Sequence, residues 1–196
     1  MSESSNSTST FDTRPWYAIR TFNCQEQKVS RYLQEQEWVH FIPMTYVQDL
    51  RHRSDHAVSG QSEEEAEKPK MIQVPAVHNL LFVQKRDNQQ EFLKVLSECP
   101  IPVSIFRHPG DRRLCEISSR EMIELRMLCD PEYKTSVFMT QGEAEAMVGK
   151  DVRVINGPLK GTVGRLVRKQ KQYYFLKAFI GLGVMVRISR WYCEPI

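Results

Sequence analysis

The sequence lacks any hydrophobic run long enough to cross a bilayer. A transmembrane helix needs roughly 20 consecutive apolar residues, and no stretch of the 196 residues approaches that length. Met1 to Thr10 is rich in Ser, Thr and Asn, without the basic and apolar regions of a signal peptide. We therefore expect a cytoplasmic protein with no membrane partner, in which residues 1–13 form a disordered leader.

Paired cysteines and metal-ligand clusters are also missing. The five cysteines are odd in number and form no C-x-x-C pair, which argues against a disulfide framework or a structural zinc site. We expect reduced, mostly buried thiols. His52 and His56 are four residues apart, but the Glu and the third ligand of a zinc protease are absent. No metal site and no cofactor are expected.

Motifs for catalysis are absent as well. Gly157 and Gly161 are not followed by the Gly-Lys-Ser/Thr of a phosphate-binding loop, and no G-x-G-x-x-G follows a predicted strand. We expect the protein not to be an enzyme. An unrecognised enzyme remains an alternative, and it would require a deep polar pocket with convergent ionisable groups.

Charge is unevenly distributed along the chain. Residues 147–196 contain ten lysines and arginines against two acidic residues, a balance of +8, whereas residues 1–146 have seventeen against twenty-two, a balance of −5. A basic segment behind a mildly acidic one indicates two domains with different partners.

Residues 14–129 alternate between strand and helix patterns. The strand patterns lie at 16–20, 39–42, 71–74, 80–83, 103–106 and 114–117. The helices are predicted to begin after Asn23, Asn88 and Ser118, with Glu26 and Glu121 completing capping boxes. Residues 48–70 are polar and predict an extended hairpin or flexible loop. Residues 130–146 lack sustained periodicity and predict a linker.

Residues 147–196 show only strand and turn patterns. Val152 and Val154 point to one face of a strand, and Asn156-Gly157-Pro158 then forms a turn. Four to five strands in so short a segment are expected to close as a small barrel.

The order of these elements resembles the NusG family of transcription elongation factors. Trp16-Tyr17, the element Pro75-Ala-Val-His-Asn-Leu-Leu-Phe-Val83 and Ile117-Ser118 resemble motifs of its NGN domain, and Val152–Val167 resembles the KOW motif. The resemblance implies an α+β fold: an NGN α/β sandwich with an antiparallel sheet flanked by helices at 14–129, and an SH3-like KOW β-barrel at 147–196. Ile42-Pro43-Met44 is most similar to the specialised RfaH-like and UpxY-like antiterminators, and the UpxY-like group is preferred.

This resemblance implies a monomeric antitermination factor that binds the clamp helices of RNA polymerase and suppresses pausing or termination. UpxY-like proteins do so on capsular or surface polysaccharide operons. The implied polymerase-binding residues, which could instead be ordinary core or turn residues, are Arg20, Val77, His78, Asn79, Leu81, Val103, Ile105 and Phe106. The His-Thr-Thr cluster of RfaH-like proteins is replaced by Asn88-Gln-Gln-Glu91, so a second polymerase contact is not implied.

Two further surfaces follow from the resemblance. Specialised members contact the non-template DNA strand near the first helix, where this chain has Gln25, Lys28, Arg31 and Tyr32; a solvated helix face is the alternative. The KOW domain of the family recruits Rho or a ribosomal protein, and basic turns with nearby aromatics suit nascent RNA. The candidate residues there are Lys160, Arg165, Arg168, Lys169 and Lys171. A KOW-type RNA-binding or ribosome-associated protein is the alternative function.

Overall fold

A computed structural model describes residues 13–48, 71–86, 88–108, 110, 112–130 and 136–196. These residues form a five-stranded sheet, a six-stranded sheet and a two-stranded hairpin, together with four α-helices. None of the helices described is long and apolar enough to span a membrane.

The five-stranded sheet is built around two adjacent strands, β1 (Trp16–Arg20) and β5 (Leu80–Gln84). The order is β2-β5-β1-β6, and β7 also pairs with β1. Because helices pack on both faces, all five residues of β5 are buried. Leu81 and Val83 belong to one apolar cluster, and Leu80 and Phe82 belong to the other. The strands are β1 (Trp16–Arg20), β2 (His40–Phe41), β5 (Leu80–Gln84), β6 (Ser104–Ile105) and β7 (Glu116–Ile117).

The helices of this first half are α1 (Glu26–Glu35), α2 (Gln89–Glu98) and α3 (Ser119–Leu128). α1 and α2 contribute Val29, Leu33, Phe92 and Leu96 to one face of the sheet. α3 covers the other face with Met122, Leu125 and Leu128.

A two-stranded hairpin flanks the segment predicted as a hairpin or loop, and its first strand was not predicted from the sequence. β3 (Met44–Gln48) pairs antiparallel with β4 (Met71–Pro75). Residues 49–70, which include His52 and His56, lie outside the described residues.

Two of the three predicted helix caps are confirmed. The Asn88 side chain accepts a hydrogen bond from the Gln90 N–H, and Ser118 with Glu121 forms a complete capping box. The prediction for Asn23 is wrong. Its φ of 55° and the φ of 53° at Cys24 form a left-handed turn, and α1 begins after Gln25 with no side-chain cap. An N-cap residue needs an extended backbone, which this turn does not provide.

The six-stranded sheet contains all the strands that the structure describes after α3. It is antiparallel throughout, in the order β13-β9-β10-β11-β12-β8. The strands are β8 (Val137–Met139), β9 (Lys150–Val154), β10 (Val163–Lys169), β11 (Gln172–Phe179), β12 (Leu182–Arg187) and β13 (Cys193–Pro195).

The segment predicted as a linker differs from that prediction. Within it, β8 pairs with β12, and α4 (Gln141–Ala146) packs against β11 and β12. Thr140 and Glu143 form a capping box at the start of α4. The helix comes so close to the sheet that a Cβ built on Gly183 would overlap the Cβ of Ala144. Residues 136–146 are therefore part of the second sheet's packing.

One apolar core connects the two sheets. Ala18, Phe82 and Leu125 of the first half belong to the same buried cluster as Phe175 and Leu182 of the second. α3 contacts β12 directly, and Lys177 of β11 forms an ion pair with Glu124 of α3. The side chains of this pair are only 18 and 12% exposed. The two halves of the chain therefore pack on each other.

We predict that Gly183→Ala destabilises the protein. The added methyl would overlap Ala144, and overpacking of this kind costs about 1–3 kcal/mol. Urea unfolding followed by circular dichroism measures the change. Gly142→Ala is the matched control, because a Cβ at Gly142 meets nothing within 4 Å and helix propensity favours Ala. An unchanged midpoint for Gly183→Ala would contradict the close packing of α4.

We also predict graded thiol reactivity. Cys24 is exposed, whereas Cys115 and Cys129 are buried and burial raises the pKa of the Cys129 thiol to about 12. Since the thiolate is the reactive form, Cys24 should react with a disulfide reagent at mildly alkaline pH. Cys129 should react only after unfolding. Mass spectrometry identifies the labelled cysteine, and native labelling of Cys129 as fast as of Cys24 would contradict this burial.

Candidate functional site

The first candidate surface is organised by the loop between β4 and β5. Asn79, in this loop, has a left-handed backbone with φ of 60°. Its carbonyl accepts a hydrogen bond from the Thr21 N–H at 3.1 Å, and its side-chain oxygen accepts one from the Cys24 N–H at 2.8 Å. The loop is thereby joined to the turn that follows β1.

A buried carboxylate supports the same loop. Glu26 is only 1% exposed. Its carboxylate accepts hydrogen bonds from the Thr21 hydroxyl at 3.5 Å and the Asn79 N–H at 3.4 Å, and lies 3.5 Å from the His78 ring. Burying a carboxylate is costly unless donors surround it, so these contacts fix the loop's position. The spacing of Glu26 from Asn23 predicted a capping box and not this role, because the partners of the carboxylate come from segments distant in the sequence.

Next to the loop lie an apolar surface and a cation. The Arg20 guanidinium lies 5.0 Å from the centre of the Phe106 ring. Phe106 and Val77 are half-buried and pack against the core shared by the two sheets. His78 is exposed, with 68% of its side chain accessible. Arg20, Val77, His78, Asn79 and Phe106 therefore lie around one end of β1 and β5, and we call them the loop surface.

The remaining candidate polymerase-binding residues lie elsewhere. Leu81 is fully buried. Val103 and Ile105 are half-buried, and they pack against the other cluster, between the sheet and helices α1 and α2. The structure therefore separates these three residues from the loop surface.

The candidate DNA-binding residues divide in a similar way. Lys28 and Arg31 are exposed and three residues apart on α1, so they share a helix face. Gln25 precedes the helix and is half-buried. The Tyr32 hydroxyl donates to the Val95 carbonyl at 2.9 Å, and burial raises its pKa. Tyr32 thus joins α1 to α2.

The basic residues of the second sheet also differ in their surroundings. Lys160, Arg168, Lys169 and Lys171 are exposed in or beside turns. Arg165 donates to the carbonyls of Glu145 and Met147 at 3.2 and 2.6 Å and lies 3.9 Å from the Asp151 carboxylate. Arg165 therefore connects the end of α4 to the sheet.

Ionisable groups also converge beside β7. The Glu116 carboxylate accepts hydrogen bonds from the Tyr17 hydroxyl at 2.6 Å and from Lys85 at 3.2 Å. The Tyr17 hydrogen bond, followed by Lys85, lowers the pKa of Glu116. A carboxylate stabilised in its charged form is a weak base. The arrangement therefore suits a structural role, in which Glu116 joins Tyr17 and Lys85. In the described part of the chain, no group of three or more His, Cys, Asp or Glu side chains could hold a metal ion.

Comparison with known proteins identifies the family. The family model described as "Transcription termination factor nusG" matches residues 14–126, more than half of the chain. A solved structure entitled "Domain interaction in Thermotoga maritima NusG" is 15% identical, with a TM-score of 0.47, and the match covers 95% of this chain and 99% of that one. No curated protein sequence matches significantly. The chain belongs to the NusG family of transcription factors, whose members bind RNA polymerase.

Proposed function

We propose that the protein is a transcription elongation and antitermination factor that docks on the clamp helices of RNA polymerase through the loop surface. The observation that carries the proposal is the grouping of Arg20, Val77, His78, Asn79 and Phe106 at one end of the sheet. Binding there would favour the polymerase state with the closed clamp. The protein would then act on pausing through the coupling free energy between its own binding and clamp closure, and no covalent bond needs to be made or broken.

The loop surface has the composition that a helical partner requires. Val77 and Phe106 supply apolar contacts, and Arg20 and His78 lie beside them with exposed polar atoms. An amphipathic helix binds to such a surface with its apolar face and pairs its charged edge with the polar groups. Asn79 and Glu26 fix the loop before binding, which lowers the entropy cost of association.

The second sheet partly covers this surface. A Cβ built on Gly181, in the turn between β11 and β12, would lie 3.3 Å from the Phe106 ring and 2.9 Å from Leu80. We propose that docking of the clamp helices displaces the second sheet and breaks the Glu124–Lys177 ion pair. The packed arrangement then represents a closed state that competes with polymerase.

The proposal also includes the domain bounds, the subtype within the family and the further partners. Residues 14–129 would form the NGN domain and residues 147–196 the KOW domain, closed as a barrel, with residues 136–146 packed against it. The Ile42-Pro43-Met44 sequence supports the UpxY-like subtype and action on polysaccharide operons. Lys28 and Arg31 share an exposed helix face, which supports contact with the non-template DNA strand. Rho and a ribosomal protein are proposed as partners of the second domain.

We predict that Val77→Asp abolishes binding of the full-length chain to RNA polymerase. A carboxylate at this half-buried site must be desolvated against the partner's apolar face, which costs several kcal/mol. Binding of labelled protein to the host polymerase, measured by fluorescence anisotropy, checks this.

Val163→Asp is the matched control, because Val163 is a valine on β10 that is 39% exposed. Its polymerase affinity should equal that of the wild type. Equal affinity for Val77→Asp, with the variant shown to be folded, would contradict docking through the loop surface.

We predict that Lys177→Ala strengthens polymerase binding about threefold to tenfold, because it destabilises the closed state and raises the binding-competent fraction. The same anisotropy titration measures the change. Lys150→Ala is the control, since Lys150 is an exposed lysine of the same sheet that pairs with no described carboxylate. Unchanged or weaker binding by Lys177→Ala would contradict competition between the second sheet and polymerase.

A further inference from the structure

One tryptophan is placed very differently from the other two. Trp16 and Trp38 are 4 and 3% exposed and belong to the core, whereas Trp191 is 85% exposed. It lies in the 3₁₀ turn Arg190–Tyr192, which connects β12 to β13. Tyr192 and Ile155 next to it are 41 and 42% exposed. A group of large exposed side chains of this kind indicates a contact surface.

The turn that presents Trp191 is held in place by backbone hydrogen bonds. The Tyr192 N–H donates to the Ser189 carbonyl at 3.0 Å, and the Ile155 N–H donates to the Tyr192 carbonyl at 2.8 Å. β13 follows at once and pairs with β9. The two aromatic rings are therefore carried on a fixed backbone, which lowers the entropy cost of binding through them.

Cationic residues precede the aromatic pair in the chain and also lie in a neighbouring turn. Arg187 ends β12, and Arg190 directly precedes Trp191. On the other side, a Cβ built on Gly157 would lie 3.8 Å from the Tyr192 ring, and the Lys160 N–H donates to the Gly157 carbonyl. We call Lys160, Arg187, Arg190, Trp191 and Tyr192 the aromatic-basic surface.

Few acidic groups oppose these cations. The two acidic residues of 147–196 are each within 4 Å of an arginine: Asp151 is 3.9 Å from Arg165, and Glu194 is 3.8 Å from Arg153. Lys160, Arg187 and Arg190 pair with no carboxylate in the part of the chain that the structure describes. The surface therefore has positive charge available for an anionic ligand.

We propose that the aromatic-basic surface binds single-stranded RNA. Exposed rings provide stacking platforms for unpaired bases, and the flanking cations bind the phosphates. A protein partner would have to supply carboxylates at several separate positions, whereas a polynucleotide carries regularly repeated negative charge. A transcribing polymerase releases RNA as a free single strand, whereas contact with the non-template DNA strand is proposed above for Lys28 and Arg31 of α1, so we take RNA as the ligand of this surface. The surface shares no residue with the loop surface.

The test uses the full-length protein without polymerase, so failure of this proposal and of the docking proposal are distinguishable. The probe is a fluorescein-labelled oligouridylate about 12 nucleotides long, within the usual range of single-strand site sizes. We expect the fluorescein anisotropy to rise to a plateau as protein is added. We also expect tryptophan emission to be quenched on binding, because the Trp191 indole is exposed. Trp191→Ala should weaken binding about 5- to 150-fold, the range for loss of one stacking contact. Tyr46→Ala, at an aromatic residue of β3 that is 45% exposed, should bind as wild type.

Salt dependence tests the cations separately. Arg190→Ala should lower the slope of log affinity against log salt by about 0.7, the value for one phosphate contact on a single strand. Lys94→Ala is the control, because Lys94 is an exposed lysine of α2, and its slope should be unchanged.

Three results would overturn the proposal. One is the absence of oligouridylate binding, which would assign Trp191 to a protein partner. The second is wild-type affinity for folded Trp191→Ala. The third is equal or tighter binding of duplex RNA, since paired bases offer no faces for stacking.

Discussion

The contact of α3 with both sheets is the packing constraint on which the remaining structure depends. Met122, Leu125 and Leu128 cover the first sheet, and their cluster continues through Phe175 and Leu182 into the second. At about 25 cal/mol per Å² of buried apolar surface, neither sheet can leave this helix without exposing its apolar residues. The Glu124–Lys177 ion pair adds a charged contact between α3 and the second sheet. The relative position of the two halves is thus determined by the same side chains that form the core.

The packing of α3 on both sheets also bears on the proposed docking to RNA polymerase. Val77 and Phe106 are half-buried because they lie at the border of the shared core. A polymerase helix that docks there would replace the apolar contacts of the second sheet with its own. The net free energy needed to displace the second sheet is therefore smaller than the buried apolar area of the two-sheet contact alone indicates. The hydrogen bonds of Glu26 and Asn79 would keep the loop in place when the second sheet is displaced. The aromatic-basic surface remains exposed in the closed arrangement.

Local patterns in the sequence predicted most elements and little of their mutual contact. β5 and the caps Asn88 and Ser118 were predicted because they depend on neighbouring residues alone. Asn23 fulfilled the spacing for a cap, yet a hydrogen bond from Cys24 to Asn79, 55 residues further along the chain, accompanies a different turn. Tyr32 was assigned to DNA from its position on α1, although its hydroxyl bonds to α2. β8 and α4 were missed because short elements show little periodicity and depend on a close approach at Gly183.

The measurement that tests the central claim most directly is the distance between the two halves with and without polymerase. Spin labels at Glu35 of α1 and Gln172 of β11, both exposed, would be introduced as cysteines in a background without other reactive thiols, and double electron–electron resonance would give the distance distribution. The account predicts one narrow distribution for the free protein and a longer, broader one when polymerase is bound. An unchanged narrow distribution in a saturated polymerase complex would contradict it, because the second sheet would then remain on the loop surface during docking.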